Sequence, residues 1–459
     1  MSNLQVGEKF TVEITGLTHE GMGVGRIGER VVFIPHSLPG DLIKMKVVEI
    51  KKRLAFGELL EILEPSTDRI KPSCPHAKTC GGCQFQHLQY TAQLEWKRQQ
   101  VHDAMKRIGK LDVKVLPTLG MENPYHYRNN SQMPFGDESG ELILGFFKPG
   151  SHEIIDVETC EIQHPLITKL ALTLKRIVSE LKIEQYDRAK HKGILRHAVI
   201  RVSFAKKELM LILVTNTHDL PHKEQLINQL TNEVPELVSV IHNVNSQKTN
   251  VVMGRKTEVL WGNSHLIDTI GHLSYAISPR SFFQVNPLQT EVLYDLVREE
   301  MHPNDKGIIL DLYCGAGTIG LYLAADAKRI IGVESFADAV KDANYNAELN
   351  GIKNAKFVVG KAENELPKIM ENYDDVSAVV VDPPRKGCDA KLLETLNMAK
   401  VPQIVYVSCN PSTLARDLAV LVEGGYSIDS VQPIDMFPWT RHVETVVLLS
   451  QRKADNHIE

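Results

Sequence analysis

No stretch of the 459-residue sequence forms an uncharged apolar run approaching the roughly 20 residues that a membrane helix requires. The start, MSNLQVGEKF, has no basic cluster followed by an apolar segment, so no secretory leader is expected. Both absences favour a cytoplasmic protein with no membrane partner. Low-complexity tracts and internal repeats are missing as well. An excess of positive charge is also lacking: 52 Lys+Arg stand against 57 Asp+Glu, net −5, which argues against binding a polyanion by bulk charge. The charge is unevenly spread, however. Residues 1–110 hold 16 Lys+Arg and 12 Asp+Glu, and the remainder hold 36 and 45, so a basic first part remains compatible with a nucleic-acid partner. Cysteines number only seven, an odd count with uneven spacing. In a reducing compartment such clusters are more often metal ligands or nucleophiles than disulfides.

What is present is ordinary for a globular protein: 43% hydrophobic and 24% charged residues, in a chain long enough for about three domains. Residues 5–63 alternate glycines with the short runs FTVEI, RVVFI, LIKMKVVEI and FGELLEIL, the pattern of four or five strands closing into a small barrel. Lys44, Lys46, Lys51, Lys52 and Arg53 either protect an edge strand or track a nucleic-acid backbone. Glu64 to Pro72 reads as a linker, and a helix is expected from about Tyr90 to Ile108. Residues 124–270 have an α+β texture. From about residue 285 the chain alternates strand and helix, and GIILDLYCG, RIIGVES, KFVVGKA, SAVVVDPP and QIVYVSC read as strands of a parallel sheet covered on both faces. HVETVVLLS adds a strand near the C-terminus. The expected division is 1–63, 64–275 and 276–459.

The chemistry-bearing motifs stand at the ends of those strands. Gly315-x-Gly317-x-x-Gly320 permits a tight turn and close approach of a ligand, and fits a nicotinamide dinucleotide as well as S-adenosylmethionine. Glu334 ends the second strand, where a carboxylate can accept both hydroxyls of a ribose. Asp382-Pro383-Pro384-Arg385 follows the fourth strand; two prolines stiffen the loop and hold Asp382 at the ligand-binding rim. Many nucleic-acid methyltransferases use such a loop. With Arg385 in place of an aromatic residue, methylation of an exocyclic amine is disfavoured. Cys409 ends the fifth strand within reach of that rim, as a nucleophile would. Thiolate addition to carbon 6 of a pyrimidine activates carbon 5 for methylation, after which a base must remove the carbon 5 hydrogen. Glu444 and His442 are both candidates for that base, and strand alternation puts them on one face.

Taken together, SFFQVN at 281–286, DLYCGAGTIGL, VVDPPRKG, VSCNPSTLARD and RHVETVVLL resemble the RNA 5-methyluridine methyltransferases, in particular the bacterial 23S rRNA uracil-5-methyltransferases with an N-terminal TRAM barrel. The resemblance implies a multidomain fold: an OB-like TRAM barrel, an α+β central domain with a metal cluster, and a Rossmann-like class I methyltransferase domain. It implies Cys409 as nucleophile and Glu444 as proton acceptor, with Gln284, Tyr313, Glu334 and Asp382 contacting S-adenosylmethionine and Phe283 and the Glu363 loop framing it. From the residues alone, Gln284 reads only as a helix-entry position with Asn286 as cap.

Cys74-x5-Cys80-x2-Cys83 with Cys160 suits zinc or iron by spacing, with His76, His87 and His164 as further zinc candidates. The resemblance implies a 4Fe-4S cluster on all four cysteines. It also implies an RNA partner, 23S rRNA, whose target base leaves its stack, and a monomeric enzyme. The tRNA-directed relatives are disfavoured because they generally lack both barrel and cysteine cluster. Tyr125–Asn130 is either an RNA-binding loop or one packed on the core.

Overall fold

The computed structural model describes residues 4–301 and 307–452. The N-terminal strands β1 (Lys9–Leu17), β2 (Gly23–Ile27), β3 (Arg30–Ile34), β4 (Leu42–Lys51) and β5 (Leu54–Glu64) close into a barrel in the order β1-β2-β3-β5-β4. Alternate residues fill it: Val12, Ile14, Val32, Ile34, Ile43, Met45, Val47 and Ala55 are buried together. The segment after β5 is not a loose linker. Asp41, fully buried, accepts from Ser66 N–H (2.8 Å) and from Arg69 Nε (3.0 Å), so the chain leaving the barrel is latched back onto it.

Helix α1 (Tyr90–Ala104) continues as a π-helical turn, Met105–Gly109. Although expected to belong to a central domain, this stretch packs on the C-terminal sheet: Val101, Ala104, Met105 and Val115 share a core with Leu414 and Leu418. A second sheet follows, with β6 (Asn130–Glu138), β7 (Glu141–Phe147), β8 (Ile154–Asp156), β9 (Leu195–Val202), β10 (Leu209–Thr215), β11 (Leu237–Val244) and β12 (Lys256–Gly262). Its order is β12-β11-β10-β9-β6-β7-β8, and helices α2 (Pro165–Glu180) and α3 (Lys223–Glu233) cover one face. The hairpin β13 (Leu266–Ile270) and β14 (Leu273–Ile277) carries the chain onward, and β14 spans the expected 275/276 division.

Helix α4 (Pro287–Glu300) opens the last unit, capped by Asn286, whose side chain accepts from Gln289 N–H (3.2 Å). Then come β15 (Ile308–Leu312), α5 (Thr318–Tyr322), β16 (Arg329–Glu334), α6 (Ala337–Leu349), β17 (Ala355–Val359), α7 (Ala362–Asn372), β18 (Val376–Val381), α8 (Ala390–Ala399), β19 (Gln403–Ser408), α9 (Pro411–Glu423), β20 (Tyr426–Ile434) and β21 (Glu444–Gln451). The sheet order is β17-β16-β15-β18-β19-β21-β20. The first five strands are parallel and β21 is antiparallel to both neighbours. The five parallel strands are those expected from their apolar runs, with helices on both faces. Strand β20, interrupted by Asp429, Ser430 and Gln432, was not anticipated. Among the described residues no helix is long and apolar enough to cross a membrane.

Candidate active site

Tyr313 leaves β15 with φ +68°, a left-handed backbone that costs an aromatic residue roughly 1–3 kcal/mol. Its N–H and that of Cys314 both donate to Val333 O (2.9 and 3.1 Å), which holds the turn against β16. Gly315 and Gly317 continue it at φ +54° and +77°. A Cβ on Gly317 would stand 2.8 Å from the Phe357 ring, whereas Gly315 has nothing within 4 Å of that position, so one side of the loop is open to a ligand. Gly315 N–H donates to Glu334 Oε2 (3.2 Å), and Glu334 Oε1 accepts from Phe336 N–H (2.9 Å). The carboxylate is thereby fixed at the tip of β16 beside the glycine loop.

Beneath this loop Asp311 is 1% exposed; one oxygen accepts from Gly320 N–H (2.8 Å) and the other has no partner among the described residues. Burial, with Asp382 and Glu334 nearby, pushes its carboxyl up to about 7. Between the unfolded value near 3.9 and about 7 the native state holds more protons than the unfolded chain, so this group's contribution to stability is lost as pH rises through that window. Asp311→Asn removes the titration. Wild type should lose about 2–4 kcal/mol relative to this variant between pH 4 and pH 8. Urea unfolding of both proteins at the two pH values measures it; a constant difference would contradict the assignment.

The rim is completed by β18, β19 and β21. Asp382 N–H donates to Leu312 O (3.4 Å), placing the residue at the head of its loop just past β18. Asn410 joins this loop to the next: its Oδ1 caps α9 through Ser412 N–H (3.1 Å) while its Nδ2 donates to Arg385 O (2.9 Å). The antiparallel register pairs Ser408 with Thr445, so Cys409 and Glu444 stand opposite one another at the strand ends. Burial, together with the charges of Glu444 and Asp382, pushes the half-buried Cys409 thiol up to about 11, opposed by Arg385. Glu444, buried, is raised well above the carboxylate range by desolvation and by Asp382. Asp382 itself is pushed up to about 7 by burial. A thiol and a carboxyl that hold their protons until a cation arrives form a pair suited to nucleophilic addition followed by proton removal.

His442 does not share a strand face with Glu444, because β21 begins only at Glu444. Burial, with Arg385 and Arg441 near, lowers its imidazole to about 4, and the ring packs edge-on against Phe437. Gln284 lies just before α4, and its carbonyl accepts from Asn129 Nδ2 (3.0 Å). Within Tyr125–Asn130, Tyr127 is fully buried and Tyr125 stacks on Trp439 at 5.0 Å, while His126 is exposed. Sequence reasoning missed the fully buried pair Lys97–Asp435 (2.5 Å) under the loop that leads to Glu444, and nothing local to either residue signals a partner more than 300 positions away.

Cys74, Cys80, Cys83 and Cys160 line one cavity of about 580 Å³, together with His76. Burial and the charges of the other three cysteines push Cys83 up to about 12. Among the described residues no three Cys, His, Asp or Glu side chains are gathered as ligands of a single ion. His87 packs on His36 at 5.9 Å, and His164 caps α2 through Leu166 N–H (3.2 Å), so neither belongs to the thiol set. Cys314 and Cys388 are buried in the C-terminal core, away from it.

A doubly wound sheet with a reversed strand inserted before its last member, a glycine loop and acidic residues at the strand tips define a class I methyltransferase fold. The chain belongs to the tRNA (Uracil-5-)-methyltransferase family, whose pattern matches residues 89–452, and a TRAM domain matches residues 3–60. It is 48% identical over 447 residues to an uncharacterized RNA methyltransferase of Halalkalibacterium halodurans, covering 97% of this chain and 98% of the relative. A second uncharacterized RNA methyltransferase, from Oceanobacillus iheyensis, is 47% identical over 450 residues, 98% of each chain. The crystal structure of the Pyrococcus abyssi tRNA (uracil-54, C5)-methyltransferase in complex with S-adenosyl-L-homocysteine is similar with a TM-score of 0.77 at 30% identity, covering 96% of this chain and 100% of that one. A match so extensive takes in the barrel. The barrel alone therefore does not separate rRNA-directed from tRNA-directed enzymes.

Proposed function

We propose that this chain methylates carbon 5 of a uridine in RNA, with Cys409 as nucleophile, Glu444 as base and S-adenosylmethionine as methyl donor. The observation that carries the reading is the opposition of Cys409 and Glu444 across β19 and β21, on the rim that also bears Asp382. The cofactor contacts are assigned to Gln284, Tyr313, Glu334 and Asp382. The open side of Gly315 admits the donor close to the main chain, and Glu334 is set to accept ribose hydroxyls. S-adenosylmethionine supplies an electrophilic methyl group on a cationic sulfonium. That charge favours ionised Cys409, Asp382 and Glu444. The Cys409 thiolate adds to carbon 6 of the uracil, and the ring electrons moved to carbon 5 would take the methyl group as its bond to the sulfonium sulfur breaks, leaving neutral S-adenosylhomocysteine. Glu444 then removes the carbon 5 hydrogen, the carbon 6–sulfur bond breaks, and the thiolate is restored.

The barrel and the second sheet supply the RNA surface, and a base drawn out of its stack reaches Cys409. The proposed substrate is 23S rRNA, in the cytoplasm, as the motif set implies. Transfer RNA is the second reading, favoured by the extent of the match to the Pyrococcus abyssi enzyme. Mass mapping of 5-methyluridine in both RNAs from a deletion strain tests this. Loss from 23S rRNA is expected, loss from tRNA alone would select the second reading, and no loss in either would contradict both.

For the thiols, the proposed occupant is a 4Fe-4S cluster on Cys74, Cys80, Cys83 and Cys160. The four thiols line one cavity and their charges bear on one another, which supports a shared occupant. Protein purified without oxygen should carry about four iron and four sulfide per chain. One zinc and no iron would overturn the assignment.

A further inference from the structure

Most external anchors of Asp435–Val443, the loop that joins β20 to β21 and delivers Glu444, come from residues 84–127. Lys97 Nζ, wholly buried, reaches Asp435 Oδ1 (2.5 Å) and Phe437 O (3.0 Å). Tyr127 donates its hydroxyl to Pro438 O (3.0 Å). Trp439, 2% exposed and at φ +67°, donates its N–H to Gln93 Oε1 (3.1 Å) and its indole N–H to Pro124 O (2.9 Å). Its carbonyl accepts from the N–H groups of Gln84 and Phe85, both at 3.0 Å. A left-handed tryptophan is retained only where such contacts over-determine it.

Gln84 directly follows Cys83. Its Nε2 donates to Gly81 O, inside the Cys80–Cys83 turn (3.0 Å), and its Oε1 accepts from Arg441 N–H (3.3 Å). One side chain therefore ties the thiol turn to the loop, three residues before Glu444. Cys409, one residue past β19, is not on this path.

We propose that Gln84 is a positioning residue for proton removal: by fastening the Cys80–Cys83 turn to Asp435–Val443, it aims the Glu444 carboxylate at carbon 5 of the substrate ring. The proposal rests on the reading of Glu444 as base. Loosening this tie slows elimination and leaves addition and cofactor binding intact. Disturbance of the thiol turn reaches Glu444 by the same route.

The test is Gln84→Ala in the full chain. The expected result is a kcat about tenfold lower, the rate equivalent of a lost hydrogen bond, with KM for S-adenosylmethionine within about twofold of wild type. A denaturant-resistant protein–RNA adduct builds up during turnover. An unchanged thermal shift with adenosylhomocysteine shows that the variant is folded. Gln84→Glu, which keeps an acceptor for Arg441 N–H but loses the donor to Gly81 O, stays slow and accumulates adduct, because the tie needs both bonds; full recovery of the rate would overturn the proposal. Wild-type kcat in Gln84→Ala, or a slower enzyme without adduct, overturns the proposal. An adduct in Glu444→Gln but none in Gln84→Ala removes the positioning role alone, and none in either removes the base as well.

Discussion

Replacing Cys409 with alanine is expected to cut methyl transfer by about 10⁴-fold or more while adenosylhomocysteine binds within about twofold of wild-type affinity. The two effects separate because the thiol lies past the end of β19, whereas Tyr313, the glycine loop and Glu334 are held by bonds to one another and to β16. Without the sulfur, carbon 5 of the ring is never made nucleophilic, and no arrangement of the remaining groups replaces that step. Isothermal titration with adenosylhomocysteine and a tritium-release or mass assay on RNA measure the pair. Turnover within about tenfold of wild type would remove the covalent route.

Glu444→Gln is expected to fail later in the cycle. Addition and methyl transfer still occur, the carbon 5 hydrogen is not removed, and RNA remains attached to Cys409. Turnover should fall by about 10²–10⁴-fold, the range for loss of a general base. Because Glu444 holds its proton in the free enzyme, the substitution removes no charge there, and with its burial unchanged the Cys409 thiol should alkylate at close to the wild-type rate at neutral pH. Peptide mapping after alkylation, together with denaturing gels of enzyme and labelled RNA, reads both consequences. Slow turnover with free RNA throughout would assign the base elsewhere.

Much of this arrangement was legible in the sequence because it lies at strand ends. Five β-branched runs became β15 to β19, and Glu334, Asp382 and Cys409, at or just beyond their ends, occur where alternation of strand and helix puts a ligand rim, whereas Tyr313 was reached only through the resemblance. The choice between His442 and Glu444 was not legible, since it depended on where β21 begins, and strand boundaries are poorly fixed by pattern. Gln284 carries no local signal beyond a helix entry; only resemblance pointed to it. Where α1 packs was not legible, because its partners, α9 and the loop after β20, follow it by some 300 residues. Nor could the barrel decide the RNA. It speaks for a nucleic-acid surface, and the Pyrococcus abyssi enzyme has its counterpart while being named for tRNA.

Central to the proposed mechanism is a bond between Cys409 and carbon 6 of the uracil while carbon 5 is methylated. RNA carrying 5-fluorouridine tests it most directly, because fluorine cannot be abstracted as a proton and the adduct is caught even with Glu444 in place. Mass spectrometry of the digested complex should find one peptide containing Cys409 joined to a methylated 5-fluorouridine nucleotide, formed only when S-adenosylmethionine is present. A nucleotide attached to a different residue, or methylated product released with no attachment, would contradict it.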